Sequence, residues 1–238
     1  MARVTFPLES RQPMVAGSFG SPADLKSGTL AMLTDACDIA EIRLDLLAAA
    51  GGGTGPTAWR HLEGFPLLFT ARRIDEGAAL DLGPAARAEL LRGALRDAAW
   101  VDIEVASIGE MAGLIEELAQ ANIPWLASYH DFGKLPTTAA LEQAANRALA
   151  AGASVFKAAA RLESPEDLAR LADFQLADHG LPVATMGMGP LAPVSRLLAA
   201  QCGSVLNYGY LGATPTAPGQ WDAALLKKAI ARLTPLSR

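Results

Sequence analysis

Short apolar runs alternate with longer Ala- and Leu-rich segments along the chain, and this alternation restricts the fold more than any other feature. The apolar runs predict eight strands, at residues 14–18, 39–45, 67–71, 101–105, 125–129, 154–157, 182–186 and 205–208. The segments between them predict helices at 21–36, 55–62, 84–98, 108–120, 137–151, 164–176, 193–200 and 220–233. Eight strands, each followed by a helix, favour an α/β fold of the closed (β/α)8 type, the TIM barrel. An open doubly wound sheet is the alternative, although no Gly-x-Gly-x-x-Gly pattern follows the first strand.

The length and composition fit one such barrel. The chain has 238 residues, and a barrel of this kind typically has about 250. No linker or low-complexity tract interrupts it, so we expect a single catalytic domain over residues 1–238, in which residues 1–12 are an appendage with room for an extra strand or hairpin. The net charge of -5 argues against a broad nucleic-acid surface.

Three further features predict a cytoplasmic protein. The first residues lack the apolar core of a signal peptide, and no apolar run reaches the roughly 18 residues of a membrane helix. Cys37 and Cys202 lie far apart in the sequence and form no metal-type cluster, which is typical of reduced core thiols. We therefore expect no membrane partner, no nucleic-acid partner and no metal site.

Lysines are scarce, and one of them stands apart. Of the five, at positions 26, 134, 157, 227 and 228, only Lys157 lies in an apolar run, at the end of the sixth predicted strand. Burial there lowers the pKa of an amine toward neutrality, and a neutral amine can attack a carbonyl carbon to form an imine. The alternative is a structural lysine that extends its amine to solvent.

His130 directly follows the fifth predicted strand, in the segment Ser-Tyr-His-Asp-Phe. At this place it can face the mouth of a barrel, and an imidazole pKa near about 6.5 suits proton transfer at neutral pH. A lone histidine is more often structural, and it is the presence of Lys157 on the next strand that favours a catalytic role.

Two predicted strands carry charged residues in alternation with apolar ones. Glu41, Arg43 and Asp45 share one face of the second strand, and Asp102 and Glu104 repeat the arrangement on the fourth. Buried charge is costly unless it is paired or binds a ligand, so the two strands together predict a polar site at the barrel mouth. For either strand alone, the alternative is an amphipathic edge strand with one wet face.

Other polar residues follow the third, seventh and eighth predicted strands. Arg72 ends the third strand and Glu76 follows in the next loop; a solvated surface pair is the alternative there. Arg196 opens the helical region after the seventh strand, where an arginine and a helix N-terminus both suit an anion. The loop after the eighth strand brings Thr216 and Gln220 over the mouth.

These segments resemble those of the type I 3-dehydroquinate dehydratases in order and spacing. They are Glu-Ile-Arg-Leu-Asp at 41–45, Phe-Thr-Ala-Arg at 69–72, Glu-Gly at 76–77, Ser-Tyr-His-Asp-Phe at 128–132, Lys157, Met-Gly-Met-Gly at 186–189, Ser-Arg-Leu at 195–197 and Ala-Pro-Gly-Gln at 217–220. The chain departs from the family pattern at Gly187 and Thr216, where the family more often has Ser. The resemblance implies a carbon–oxygen lyase of the shikimate pathway, which leads to the aromatic amino acids, that converts 3-dehydroquinate to 3-dehydroshikimate.

The resemblance also implies roles for individual residues. Lys157 would form a Schiff base with the substrate ketone, His130 would shuttle protons, and Glu76 would orient His130. Arg196 would bind the substrate carboxylate. The other implied substrate contacts are Ser18, Glu41, Arg43, Arg72, Thr216 and Gln220. No metal or organic cofactor is implied, because the imine is the electron sink, and the implied assembly is a homodimer.

Two other functions are compatible with the sequence. Another class I, lysine-imine barrel lyase of the aldolase type would share Lys157 but would not need so many arginines for a carboxylated polyol. A non-catalytic barrel that only binds a carboxylated, sugar-like ligand would not need Glu76, His130 and Lys157 together. The sequence leaves open whether the activity serves biosynthesis or the breakdown of quinate.

Overall fold

Eight parallel strands form the centre of the molecule in a computed structural model that describes residues 4–8, 11–213, 215–217, 219–234 and 236. They are β1 (Met14–Phe19), β2 (Ile39–Arg43), β3 (Leu67–Thr70), β4 (Trp100–Glu104), β5 (Trp125–Asp131), β6 (Val155–Arg161), β7 (Val183–Met188) and β8 (Leu206–Leu211). Each strand from β1 to β6 pairs in parallel with the next, and β8 pairs with β1. At the remaining seam the Val205 amide donates to the Val183 carbonyl at 3.1 Å. The ring is thus nearly closed, and the predicted (β/α)8 barrel is confirmed.

Helices follow the strands and cover the outside of the barrel. They are α1 (Pro22–Ser27), α2 (Leu30–Ala36), α3 (Leu44–Ala49), α4 (Pro84–Ala94), α5 (Ala112–Gln120), α6 (Thr138–Ala150), α7 (Pro165–Leu176), α8 (Ala192–Gln201) and α9 (Ala223–Ile230). Local sequence explains several helix starts: Ser164 accepts a hydrogen bond from the Asp167 amide at the start of α7, with Pro165 in the first turn. No helix of the described chain combines the length and apolar character needed to cross a membrane.

The second strand is shorter than predicted. It ends at Arg43, and Asp45 lies in α3 instead of sharing a strand face with Glu41. The Asp45 carboxylate turns back and accepts two hydrogen bonds from the Arg43 guanidinium, at 2.9 and 2.7 Å, and one from the Arg72 amide at 3.2 Å. The alternating charge pattern thus extends past the end of β2. Its last residue, Asp45, links the end of β2, through Arg43, to the end of β3, through the Arg72 amide.

The fifth and sixth strands are longer than predicted, and this moves Lys157. It is the third of seven residues in β6 and not the last, while His130 lies within β5. The additional part of β6 is the alanine run 158–160, which has low intrinsic strand preference. Pairing with β5 on one side and β7 on the other outweighs that preference.

Two apolar clusters position the site. The larger lies between strands and helices, and the smaller fills the barrel interior with residues that include Leu68, Leu126 and Leu206. Phe6 packs against this inner cluster, and its carbonyl accepts a hydrogen bond from Trp100 Nε1 at 2.7 Å. The described residues of the predicted appendage, 4–8 and 11–12, form no strand, and the rest of it lies outside the described chain. The packed interior leaves the carboxyl ends of the strands as the open end.

Candidate active site

A cavity lies at the carboxyl ends of the strands, and its lining includes every residue that the sequence analysis assigned to the site. These are Ser18, Glu41, Arg43, Arg72, Glu76, His130, Lys157, Arg196, Thr216 and Gln220. Phe132, Met186, Met188 and Tyr208 contribute most of the apolar wall. Residues far apart in the sequence meet here because parallel strands of a barrel all end on one side.

Lys157 is buried inside the barrel. It lies on the face of β6 that also carries Val155 and Ala159, both of which belong to the inner cluster. Its Nζ is 3.0 Å from Asp102 Oδ2 and 4.1 Å from the centre of the Tyr208 ring. Only 4% of the residue is exposed, so the amine faces the cavity instead of reaching the bulk solvent.

Burial and neighbouring charges act in opposite directions on this amine. Burial lowers the pKa of Lys157, Asp102 opposes the shift, and the positive charge of Arg72 adds to it. Burial alone would raise the pKa of Asp102, but the charges of Arg72 and Lys157 outweigh burial and hold that pKa well below its usual range. Asp102 is therefore an anion that contacts both Arg72 and Lys157, and its charge offsets only part of the effect of burial on the Lys157 pKa.

Arg72 links the charged residues of β4 into one network. Its Nη1 and Nη2 donate to the two oxygens of Asp102 at 3.0 and 2.7 Å, and Nη1 also donates to Glu104 at 3.2 Å. Glu104 accepts a second hydrogen bond from Arg87 at 2.8 Å, and Ser128 donates to Asp102 at 2.5 Å. The charges that the sequence places on the β4 face are thus paired, as burial requires.

His130 and Glu76 form a largely buried pair next to this network, because His130 lies on β5, which pairs directly with β4. Glu76 Oε2 lies 2.8 Å from His130 Nδ1 and accepts from the His130 amide at 2.9 Å. Burial raises the pKa of Glu76 to about 8. Burial, with the charges of Arg72 and Lys157, lowers the pKa of His130 well below its usual value. The imidazole is therefore neutral at physiological pH, with Nδ1 held by Glu76 and Nε2 without a hydrogen bond to any described residue.

Gly77 allows Glu76 to reach this position. Glu76 ends a short 310 turn, Ile74–Glu76, and Gly77 follows it with φ +97°, a conformation that glycine adopts readily and other residues do not. A Cβ at position 77 would also lie 2.7 Å from the Phe132 ring. The turn that places Glu76 beside His130 thus requires a glycine at position 77.

Arg196 is a cation without an anionic partner among the described residues. It is 1% exposed, its Nη1 donates to the Tyr208 carbonyl at 2.7 Å, and its Nε has no hydrogen-bond acceptor. Burial lowers the pKa of this guanidinium to about 10, which leaves it charged at neutral pH. A buried, charged and incompletely bonded guanidinium on a cavity wall is suited to a carboxylate ligand.

The remaining predicted residues are bonded to one another. Glu41 accepts hydrogen bonds from Ser18 and, at 2.8 Å, from Thr70. The Thr216 amide and hydroxyl both donate to Gln220 Oε1 at 2.8 Å, which fixes the loop after β8. Pro218, part of the same predicted loop, lies outside the described residues.

The structure accounts for Gly187, where the chain departs from the family pattern. A Cβ at this position in β7 would lie 2.5 Å from both Leu162 Cδ1 and Ser195 Oγ. The Ser195 hydroxyl occupies that space and accepts from the Gly187 amide at 2.9 Å. A serine at 187 would not fit without displacing Ser195.

Two residues that contact Lys157, Asp102 and Tyr208, were not among the predicted site residues. Asp102 was noted as an unusual strand charge but was not assigned to the site, although alternation on β4 was a signal for it. Tyr208 was read as part of an apolar strand, and no feature of the sequence marked its hydroxyl. Its place beside Lys157 depends on how β8 packs across the barrel.

The fold and cavity define a class of protein: a (β/α)8 barrel with a buried lysine and a partly buried histidine at the carboxyl ends of its strands. A family model described as type I 3-dehydroquinase matches residues 21–236. The chain is 31% identical over 208 residues to the 3-dehydroquinate dehydratase of Methanocella arvoryzae, covering 87% of this chain and 91% of that protein. The protein of the same name from Methanothrix thermoacetophila is 31% identical over 228 residues, with 94% and 93% covered. The chain therefore belongs to the type I 3-dehydroquinase family, a family of lyases.

A solved structure supports the fold. The 3-dehydroquinate dehydratase of Geobacillus kaustophilus matches with a TM-score of 0.81 at 23% sequence identity, and the match covers 97% of both chains. At this identity the likeness concerns the barrel alone.

Proposed function

We propose that this protein converts 3-dehydroquinate to 3-dehydroshikimate through a Schiff base on Lys157. The observation that carries the proposal is the buried Lys157 amine, which shares a cavity with His130 and with Arg196, a guanidinium that has no anionic partner among the described residues. Membership of the type I 3-dehydroquinase family supports the same substrate and reaction.

The first step is imine formation. The neutral Lys157 amine attacks the C3 carbonyl carbon of 3-dehydroquinate, and the resulting carbinolamine loses its oxygen as water. His130, whose Nε2 makes no hydrogen bond within the described chain, carries a proton from the attacking nitrogen to this oxygen. A second proton, taken up from solvent, lets the oxygen leave as water and gives the imine its positive charge; hydrolysis of the imine at the end of the cycle returns that proton. Burial, which lowers the pKa of Lys157, increases the fraction of amine available for attack.

The second step is elimination. The protonated imine withdraws electrons from the adjacent carbon, so His130 can remove a proton from C2. The C1 hydroxyl then leaves as water with the proton that His130 has taken up. One group that both takes and returns the proton acts on one face of the ring, which gives a syn elimination. Hydrolysis of the imine releases 3-dehydroshikimate and restores Lys157.

Substrate binding is assigned to the polar lining of the cavity. Arg196 pairs with the carboxylate, because it is the buried guanidinium that lacks an anion in the described chain. Arg43 and Arg72 already pair with the carboxylates of Asp45 and Asp102. We therefore assign them hydrogen bonds to the ring hydroxyls of the substrate and not to its carboxylate. The other proposed contacts to the ring hydroxyls are Ser18, Glu41, Thr216 and Gln220.

The proposed chemistry requires no metal or organic cofactor, because the imine itself accepts the electrons. Among the described residues, no group of three or more His, Cys, Asp or Glu side chains is placed to hold a metal ion. The cytoplasmic location expected from the sequence features, and the homodimer implied by the family resemblance, remain part of this proposal.

The direct test is turnover. The purified chain is mixed with 3-dehydroquinate, and the enone of the product is followed by its ultraviolet absorbance. We expect saturable formation of the enone. Cleavage of a carbon–carbon bond without enone formation would instead favour a lysine-imine aldolase, and binding without any reaction would favour a non-catalytic barrel.

A further inference from the structure

The Tyr208 hydroxyl is a buried polar group that the proposed mechanism does not use. Tyr208 is 3% exposed and lines the cavity, and its Oη makes no hydrogen bond to any residue of the described chain. A phenylalanine would fill the same space without burying an unsatisfied hydroxyl. Among the described residues, the Tyr208 hydroxyl therefore has no hydrogen-bond partner, and a bound ligand could provide one.

The neighbouring carboxylates do not supply that partner. Glu41 accepts from Ser18 and Thr70, and Asp102 accepts from Arg72, Ser128 and Lys157. Burial and the negative charges of Glu41 and Asp102 raise the pKa of Tyr208 well above its usual value. Tyr208 thus keeps its proton and can act as a hydrogen-bond donor to a ligand.

Strand order places Tyr208 and His130 on opposite sides of Lys157. His130 lies on β5, which pairs directly with β6. Tyr208 lies on β8, beyond β7, which is the other neighbour of β6, and its ring is 4.1 Å from Lys157 Nζ. A substrate held by Lys157 therefore presents one side to His130 and the other to Tyr208.

The chemistry of the ring then identifies the atom that Tyr208 meets. The imine carbon C3 has two ring neighbours, C2, which loses its proton to His130, and C4, which carries a hydroxyl. With C2 turned toward His130, C4 is turned away from it, toward β8. On the basis of the proposed function, we propose that Tyr208 donates a hydrogen bond from Oη to the C4 hydroxyl and selects substrates that carry it.

The experiment combines one variant with one substrate analogue. Tyr208→Phe removes a single oxygen, and 4-deoxy-3-dehydroquinate removes its proposed partner. For 3-dehydroquinate, we expect the variant to raise KM by about three- to tenfold, the effect of one neutral hydrogen bond, with little change in kcat. For the analogue, we expect the wild type to show a similar rise in KM and Tyr208→Phe to add nothing to it. The variant's melting temperature should be unchanged or higher, since a buried unsatisfied group is gone.

Tyr129→Phe is the matched control. Tyr129 packs against the larger apolar cluster, between strands and helices, and does not line the cavity. The KM of Tyr129→Phe for both compounds should therefore equal that of the wild type. The inference is wrong if Tyr208→Phe leaves KM unchanged, or if removing the C4 hydroxyl has the same effect in both proteins. A wild type that does not turn over 3-dehydroquinate at all would instead refute the proposed function, and the inference with it.

Discussion

Arg196 is held in the wall of the cavity by one strong hydrogen bond, to the Tyr208 carbonyl, and a carboxylate would complete its bonding. A guanidinium can bind a carboxylate through two parallel hydrogen bonds, whereas an ammonium cannot. Arg196→Lys should therefore weaken substrate binding by about 1–3 kcal/mol, which raises KM by about 5- to 150-fold. Steady-state kinetics with 3-dehydroquinate measures this effect.

Arg161→Lys provides the control for that substitution. Arg161 is partly exposed and pairs with Glu163, so the same chemical change there should leave KM unaltered. An unchanged KM in Arg196→Lys would mean that the substrate carboxylate binds elsewhere.

His130→Ala separates proton transfer from binding. General acid–base groups typically contribute about 10²- to 10⁴-fold per step, and His130 acts in more than one step of the proposed reaction. We expect kcat to fall by at least about 10²-fold, while the protein still binds substrate. Imine that forms slowly on Lys157 should then accumulate, because its elimination and its hydrolysis also need His130. The measurements are kcat at saturation and the intact protein mass after incubation with substrate. The melting temperature of His130→Ala, compared with that of the wild type, shows whether the fold is intact. A folded variant that retains the wild-type kcat would show that His130 does not take part in the reaction.

At the scale of elements, the contact between the 310 turn after β3 and strand β5 predicts a pH dependence. Burial raises the pKa of Glu76 to about 8, so below this pH the carboxyl is largely protonated. Above it, ionised Glu76 accepts the Nδ1 proton of His130 and makes Nε2 a stronger base. We therefore expect kcat/KM to rise with pH and to level off above about 8.

Glu76→Gln tests the origin of that dependence. Glutamine preserves the size of the side chain but cannot ionise, so the rise near pH 8 should disappear and the rate should stay low at all pH values. Lys157 also has a lowered pKa and could produce a rise of its own. A rise that persists unchanged in Glu76→Gln would assign the titration to Lys157.

Element boundaries mark the limit of what the sequence predicts. The number and order of strands followed from apolar runs, since the alternation of strand and helix is repeated eight times. The boundary of β2 was wrong because Asp45 continues the charge pattern after the strand has ended. The length of β6 was underestimated because its alanines favour a strand only when β5 and β7 lie on either side.

Site residues were predictable to the extent that they carry charge in unusual places. Lys157 and His130 each stand out in an apolar or strand-end context, and the structure brings them to one cavity. The bonding of Asp102 to Lys157 and the position of Tyr208 depend on contacts across the barrel between strands that are not adjacent. Such contacts follow from closure of the whole barrel and leave no local pattern in the sequence.

At the scale of the whole molecule, the apolar interior of the barrel adjoins the polar site, and Ala159, Met186, Met188 and Tyr208 belong to both. The inner apolar cluster packs the barrel interior, and the polar network surrounds the open end. Lys157 can be replaced without leaving Asp102 unpaired, because Arg72 still donates to both of its oxygens. Lys157→Met also retains much of the side-chain volume, so we expect it to fold with a melting temperature close to that of the wild type.

Reductive trapping tests the central claim most directly. The wild type, Lys157→Met and the control Lys134→Met, which alters an exposed lysine, are each treated with borohydride in the presence of 3-dehydroquinate and analysed by peptide mass. The account predicts a stable adduct on the peptide that contains Lys157 in the wild type and in Lys134→Met. It predicts no adduct and nearly complete loss of turnover in a folded Lys157→Met. An adduct on another lysine, or turnover that survives in Lys157→Met, would contradict the account.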